Sequence, residues 1–300
     1  MRFAGISFCP FLVIALLTFG DATTASAQSG VGVEIDEVVD NRMAAEMMSG
    51  WLEVHLKLTG QKLDRVTATR VLVKDARDDK GTILSGPDKI PEFQSRDTDM
   101  GRLEIRLESP PRSARSVRVS GTVELFVPAR DPSSVVKIEK ALTKTDKPLV
   151  SKNLRAEKIA VTVLSQKGYA ARREDRKLDE KKIAEARAEG KRQGVSEKEM
   201  EAMIELVKAM EQLVNEPAPE GSVILYGKEA DFDRIQAIRI LGPDGKEFSG
   251  SRTSTTTGGE TIMIMNPNEK PPANATLELT ILTAKAKVSV PFELKSVSLP

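Results

Sequence analysis

The side chains that usually carry catalysis are scarce here. His55 is the single histidine and Cys9 the single cysteine. One imidazole cannot build a histidine-rich zinc site, and nothing around His55 resembles a Ser-His-Asp arrangement. His55 lies in a run where Leu52, Val54, Leu56 and Leu58 share one strand face and Trp51, Glu53, His55 and Lys57 share the other. It reads as a solvent-face residue. Ser-Lys chemistry needs a Ser-x-x-Lys at the start of a helix, and no convincing one is present. Acids are plentiful, but pairs such as Glu104 and Glu108 become hydrolytic only when they face each other about 5–10 Å apart across a groove. No catalytic, cofactor-binding or metal-binding residue can therefore be named, and no cofactor is expected.

Three further stretches invite a role. Asp75, Asp78 and Asp79 before Gly81 could offer oxygen ligands to calcium. Their spacing is not that of an EF-hand, and Lys74, Arg77 and Lys80 cancel the charge, so a hairpin turn is the reading adopted. Asp64-Arg65 and Asp233-Arg234 recur, and read as surface ion pairs or turn caps. Arg172, Arg173, Lys181 and Lys182 are interleaved with acids, which makes a solvated helix face and not a nucleic-acid surface. The stretch most suited to a partner is apolar. Met200, Met203, Ile204, Val207, Met210 and Val214 follow helical spacing, and methionine surfaces adapt to what they touch.

These residues hang on a frame that occurs twice. Leu63-Asp64-Arg65-Val66-Thr67-Ala68-Thr69-Arg70-Val71-Leu72 returns as Phe232-Asp233-Arg234-Ile235-Gln236-Ala237-Ile238-Arg239-Ile240-Leu241. Each copy runs into a glycine turn, then a strand, a double proline (Pro110-Pro111, Pro271-Pro272) and a further strand. Such duplication means one structural unit used twice. Short alternating strands with Gly and Pro turns predict antiparallel sandwiches. Between the copies the grammar changes. Residues 170–194 form a charged helix, and Ser196 with Glu199 makes a capping box opening a second helix over 196–214. Residues 85–99 and 250–260 read as long polar loops.

The chain has 300 residues, with 45 Lys+Arg against 44 Asp+Glu. That balance exerts no global pull on nucleic acid or anionic lipid. Arg2, the apolar run 8–19 and Ala25-Ser26-Ala27 make a secretory signal cleaved before Gln28. The mature chain then holds no cysteine and no disulfide, which suits a bacterial periplasm or cell surface.

The expected fold is mainly β with an inserted helical hairpin: a signal peptide over 1–27, a β-sandwich unit over 28–167, a helical linker over 168–217 and a shorter Ig-like unit over 218–300. The expected function is non-enzymatic binding or scaffolding through the sandwich loops, without nucleic acid or a membrane span after cleavage. The alternatives are a homo-oligomeric assembly module driven by helix 196–214 and a glycan hydrolase using carboxylates alone.

Overall fold

The computed structural model describes residues 30–41, 50–61, 63–86, 90–95, 102–176, 180–214 and 217–300. Within its helices and strands, the side chains of 102, 175–176, 180–182, 186 and 207–214 lie outside the description. The signal segment expected at 1–27 also lies outside the described residues.

Alternation of apolar and polar residues produces most of the strands. β1 (Val31–Asn41), β2 (Trp51–Gly60) and β5 (Arg102–Glu108) form one antiparallel sheet in the order β1-β2-β5. A second sheet is built from β3 (Ala68–Asp78), β4 (Gln94–Ser95), β6 (Ser116–Phe126) and β14 (Lys287–Ser298), in the order β14-β6-β3-β4. Leu52, Val54 and Leu56 of β2, Ile105 of β5, Val119 and Val123 of β6 and Val290 of β14 meet between these two sheets in one core. The second half repeats the scheme. β8 (Val161–Leu164), β9 (Val223–Lys228), β11 (Gly250–Thr257) and β12 (Glu260–Pro267) make the sheet β11-β12-β9-β8. β7 (Val135–Ile138), β10 (Ile235–Leu241) and β13 (Thr276–Ile281) make the sheet β10-β13-β7. Val161, Val163, Leu225, Ile240, Leu277 and Leu279 lie in the core between them.

The sequence repeat is thus a repeat of topology. In the first copy β2 leads through a helical turn at Leu63–Arg65 into β3; β5 then pairs with β2, and β6 with β3. In the second, β9 leads through α5 (Glu229–Phe232) into β10; β12 pairs with β9, and β13 with β10. The matched arginines occupy matching places. Arg70 faces Glu124 across β3 and β6 at 2.6 Å, and Arg239 is hydrogen-bonded to Glu278 across β10 and β13.

One strand of each copy is exchanged. β7 follows β6 in the chain but pairs with β13 of the other copy. β14 follows β13 but pairs with β6, along nearly the full length of that strand. The cores therefore do not follow the expected division at 167 and 217, because residues 288–299 join the first core and residues 136–163 the second. Alternation marks a strand but not its partner.

The two crossing segments are fastened to each other. Val127 N donates to Ala286 O at 2.8 Å. Asp131 caps the turn Pro132–Ser134 by accepting from Ser133 N at 3.0 Å, and its other oxygen accepts from Thr283 Oγ1 at 2.7 Å. Thr283 Oγ1 in turn lies 2.9 Å from Ser134 Oγ, and all three side chains are buried.

Gly121 lies in an unbroken stretch of β6, opposite Phe292 of β14. A register shift falls on the strand at the other side of β6, β3, between Val73 and Asp75. A Cβ on Gly121 would come within 3.0 Å of the Phe292 ring, so glycine serves close packing there.

The charged stretch after β8 is helical in its described parts, α2 (Gln166–Arg176) and α3 (Glu180–Arg192), and follows the short α1 (Lys152–Ala156). α2 packs on the outer face of the second half, where Tyr169 joins Leu164, Ile224 and Ile262. α3 and α4 (Glu197–Val214) form the expected hairpin, bridged by Arg187–Glu201 at 3.9 Å and Lys191–Glu197 at 3.8 Å. The capping box is present: Glu199 N donates to Ser196 Oγ at 3.3 Å, and Ser196 N to Glu199 Oε2 at 3.1 Å. Among the described residues no helix is long and apolar enough to cross a membrane.

Candidate binding groove

The segments expected as two separate loops come together. Residues 250–260 are not a loop. They form β11, a two-residue turn at Gly258-Gly259 with φ of +61° and +77°, and the start of β12. Thr and Ser on both faces hide this strand from a reading that needs apolar alternation. The left-handed glycine pair is the signal that could have found it. From the other segment, Glu92, Phe93 and Ser95 reach the same place. Between them lies a hollow of about 460 Å³. Ser254 and Thr256 of β11, paired with Met263 and Thr261 of β12, line it together with Arg252, and Glu229, Phe232 and Asp233 line it from the segment beside the β11–β12 turn, where Glu229 N donates to Gly259 O at 2.9 Å. A second hollow of about 330 Å³ continues along β10 and β11, and Arg252 lines both.

The groove exists because the second half is open on this side. β10 is the edge of its sheet and β11 the edge of the other. In the first half the strand matching β10, β3, is covered by β4. Among the described residues no strand covers β10, apart from local closure at its end, where Phe248 N donates to Ile240 O at 2.8 Å.

Charge is uneven in the groove. Among the described residues three carboxylates, Glu92, Glu229 and Asp233, stand against one guanidinium, Arg252. Desolvation pushes the Asp233 carboxyl above the ordinary aspartate value, and the negative charges of Glu92 and Glu229 push it further the same way. Its carboxyl remains open to solvent at the rim. Among the described residues none of these four side chains has a hydrogen bond or ion pair.

The other singled-out residues are accounted for elsewhere. Asp233 and Arg234 are not paired with each other. Arg234 turns away to Glu157, donating to its carbonyl and carboxylate, both at 2.5 Å, which frees Asp233 for the groove. Asp78 closes a hairpin turn by accepting from Thr82 N at 2.7 Å and Lys80 N at 2.9 Å. Burial pulls its carboxyl up, but these bonds, led by the Thr82 amide, outweigh it and leave it below the ordinary aspartate value. Among the described residues no group of acidic, histidine or cysteine side chains is placed to hold a metal ion. His55 does not stand free on the solvent face. It is largely covered between Glu37, 3.3 Å from Nδ1, and Glu53, 3.8 Å from Nε2. Arg172 is not merely solvated either: its guanidinium lies 4.2 Å from the centre of the Tyr226 ring and donates to the Tyr226 hydroxyl at 2.9 Å.

The methionine stripe is split. Ile204 is buried, and the Met200 methyl lies against Gly190 of α3. Met203 is 54% exposed and is joined by Leu206, 60% exposed, which the stripe did not include. The side chains of Val207, Met210 and Val214 lie outside the described residues.

Comparison of the chain with family models, with curated proteins and with solved structures gives no match.

Proposed function

We propose that this chain is an exported, non-enzymatic binding protein. It is cleaved before Gln28, works in the periplasm or at the surface of a bacterium, and consists of two related Ig-like sandwich units around a helical hairpin. Its ligand is held in the groove between β10 and β11. The observation that supports this reading is the convergence of the 90–95 segment and the β11–β12 hairpin on one open hollow with unpaired charges. Ligand sites favour such places, where a rigid scaffold presents polar groups from separate segments.

The test is thermal unfolding of the mature chain against separate panels of peptides, oligosaccharides and small anions. A ligand at about a hundred times its Kd stabilises by about 2.7 kcal/mol. That raises the melting temperature by roughly 5 °C or more in a chain of this size. The shift should vanish in an Arg252→Ser, Glu229→Gln double variant whose unliganded melting is unchanged. No shift with any panel, or a shift that survives in the variant, would sink the groove reading.

A second reading is favoured by the three carboxylates and the raised Asp233: acid-assisted glycan hydrolysis. It predicts release of reducing ends from oligosaccharides, lost in Asp233→Asn. Binding without release leaves the first reading in place.

A further inference from the structure

We propose that the groove takes an extended polypeptide segment bearing lysine or arginine, which adds as a new strand along β11. The proposal rests on reading the groove as the binding site and names its occupant.

The backbone of β11 is prepared for this. β11 and β12 are joined by a two-residue turn, and the residues flanking such a turn, Thr257 and Glu260, form a hydrogen-bonded pair. Pairing alternates from there, so Thr257, Thr255, Thr253 and Ser251 direct their amides and carbonyls to β12. Arg252, Ser254 and Thr256 direct theirs outward. These same residues line the groove with their side chains. Natural edge strands are usually blunted by proline, lysine, a bulge or extreme shortness. β11 has eight residues, no proline or lysine, and an unbroken register with β12. An edge so regular and so polar is a template for main-chain pairing, the mode by which extended peptides add to sheets.

The side chains select the partner. A strand beside β11 presents every second side chain to the groove. Among the described residues of the lining it meets three carboxylates and one guanidinium. Glu229 N donates to Gly259 O at 2.9 Å, which sets the acidic end of the groove beside the β11–β12 turn, with Arg252 toward the other end of β11. Phe93, Phe232, Ile235 and Met263 give apolar surface between the charges. Long basic side chains fit such a lining, laying their stems on apolar surface while the charged head reaches carboxylates. A peptide of acidic residues would meet like charge and no added attraction beyond Arg252.

The experiment uses the mature full chain and three fluorescent ten-residue peptides that alternate valine with lysine, glutamate or serine. Anisotropy should show binding of the lysine peptide, at least tenfold weaker binding of the serine peptide, and none of the glutamate peptide. Amide exchange should slow at Ser254 and Thr256 when the lysine peptide is added. Ser254→Pro, which removes an outward amide without touching the β12 ladder, should abolish binding. Should Ser254→Pro fail to fold, Glu92→Lys gives an independent check and should weaken binding at least tenfold. Equal binding of all three peptides, or lysine-peptide binding with no protection of Ser254 and Thr256, would overturn strand addition. If the lysine peptide fails but another ligand gives a thermal shift lost in the groove variant, the inference falls and the binding reading stands. If nothing engages the groove, both fall.

Discussion

Asp131 holds the crossing of the two exchanged strands, and its replacement by alanine should loosen both halves at once. Three accepted bonds are lost: from Ser133 N at 3.0 Å, Ser133 Oγ at 2.7 Å and Thr283 Oγ1 at 2.7 Å. The capping part costs about 1 kcal/mol. The buried bond from Thr283 to a charged acceptor costs about 1.5–3 kcal/mol. Together the loss is roughly 2–4 kcal/mol, or about 4–8 °C in melting temperature. Urea unfolding should be followed by Trp51 fluorescence for the first core and by amide exchange of β13 for the second. Both should shift by the same free energy, because β7 and β14 leave the crossing in opposite directions. A loss below about 0.5 kcal/mol, the range of an ordinary surface change, would refute the reasoning. So would a shift confined to one probe. The pH dependence gives a second check. The Thr283 hydroxyl first, then Ser133, holds the folded Asp131 carboxyl below its ordinary value, against the pull of burial. The folded state therefore binds this proton less readily than the unfolded chain, whose aspartates titrate near about 3.9. The stabilisation is complete above that value and is lost as pH falls through the lower folded one. The stability difference between wild type and Asp131→Asn should be flat above about pH 5 and shrink below about pH 4.

Other perturbations have equally definite outcomes. Glu278 is 3% exposed, whereas Arg239 and Lys137, which flank it on neighbouring strands, reach solvent. Arg239→Ala, which leaves a buried carboxylate short of a partner, should therefore cost more than Glu278→Gln, by at least about 1 kcal/mol in urea unfolding. Gly121→Ala should cost about 1–3 kcal/mol by pressing on Leu72 O and the Phe292 ring, and amide exchange should rise first in β14. Ser196→Ala removes half of the capping box and should lower the stability of α4 by about 1 kcal/mol, seen as faster exchange in its first turn with the sheets unchanged.

The local grammar was largely legible in the sequence, and the long-range pairing was not. Alternation in 51–58 placed Leu52, Val54 and Leu56 inward, where they are fully buried. The repeat announced equivalent elements, and Arg70 and Arg239 hold equivalent cross-strand positions. Their partners, Glu124 and Glu278, stand 54 and 39 residues further on, beyond the reach of any short pattern. The exchange of β7 and β14 was invisible for the same reason: Val136 and Ile138 alternate identically whichever strand they join. The groove was half legible. Both segments that form it were marked as exposed and polar, but β11 carries no apolar face and passed for a loop. Asp233 was matched with Asp64 as part of a repeated turn. Only the fold shows that Arg234 is drawn off to Glu157, leaving the aspartate at the mouth of a hollow.

The exchanged strands also order events in time. β14 stands after every other strand in the chain, yet it completes the sheet of β3 and β6, whose own residues are made much earlier. Chains emerge from their N-terminal end, and early units commonly fold first. Here the early unit has to wait, with the edge of β6 bare, until β14 is delivered. A stop codon that removed only residues 287–300 would leave the second half its full complement of strands and undo the first. The first half therefore cannot close ahead of the making of β14, however early its other strands are ready.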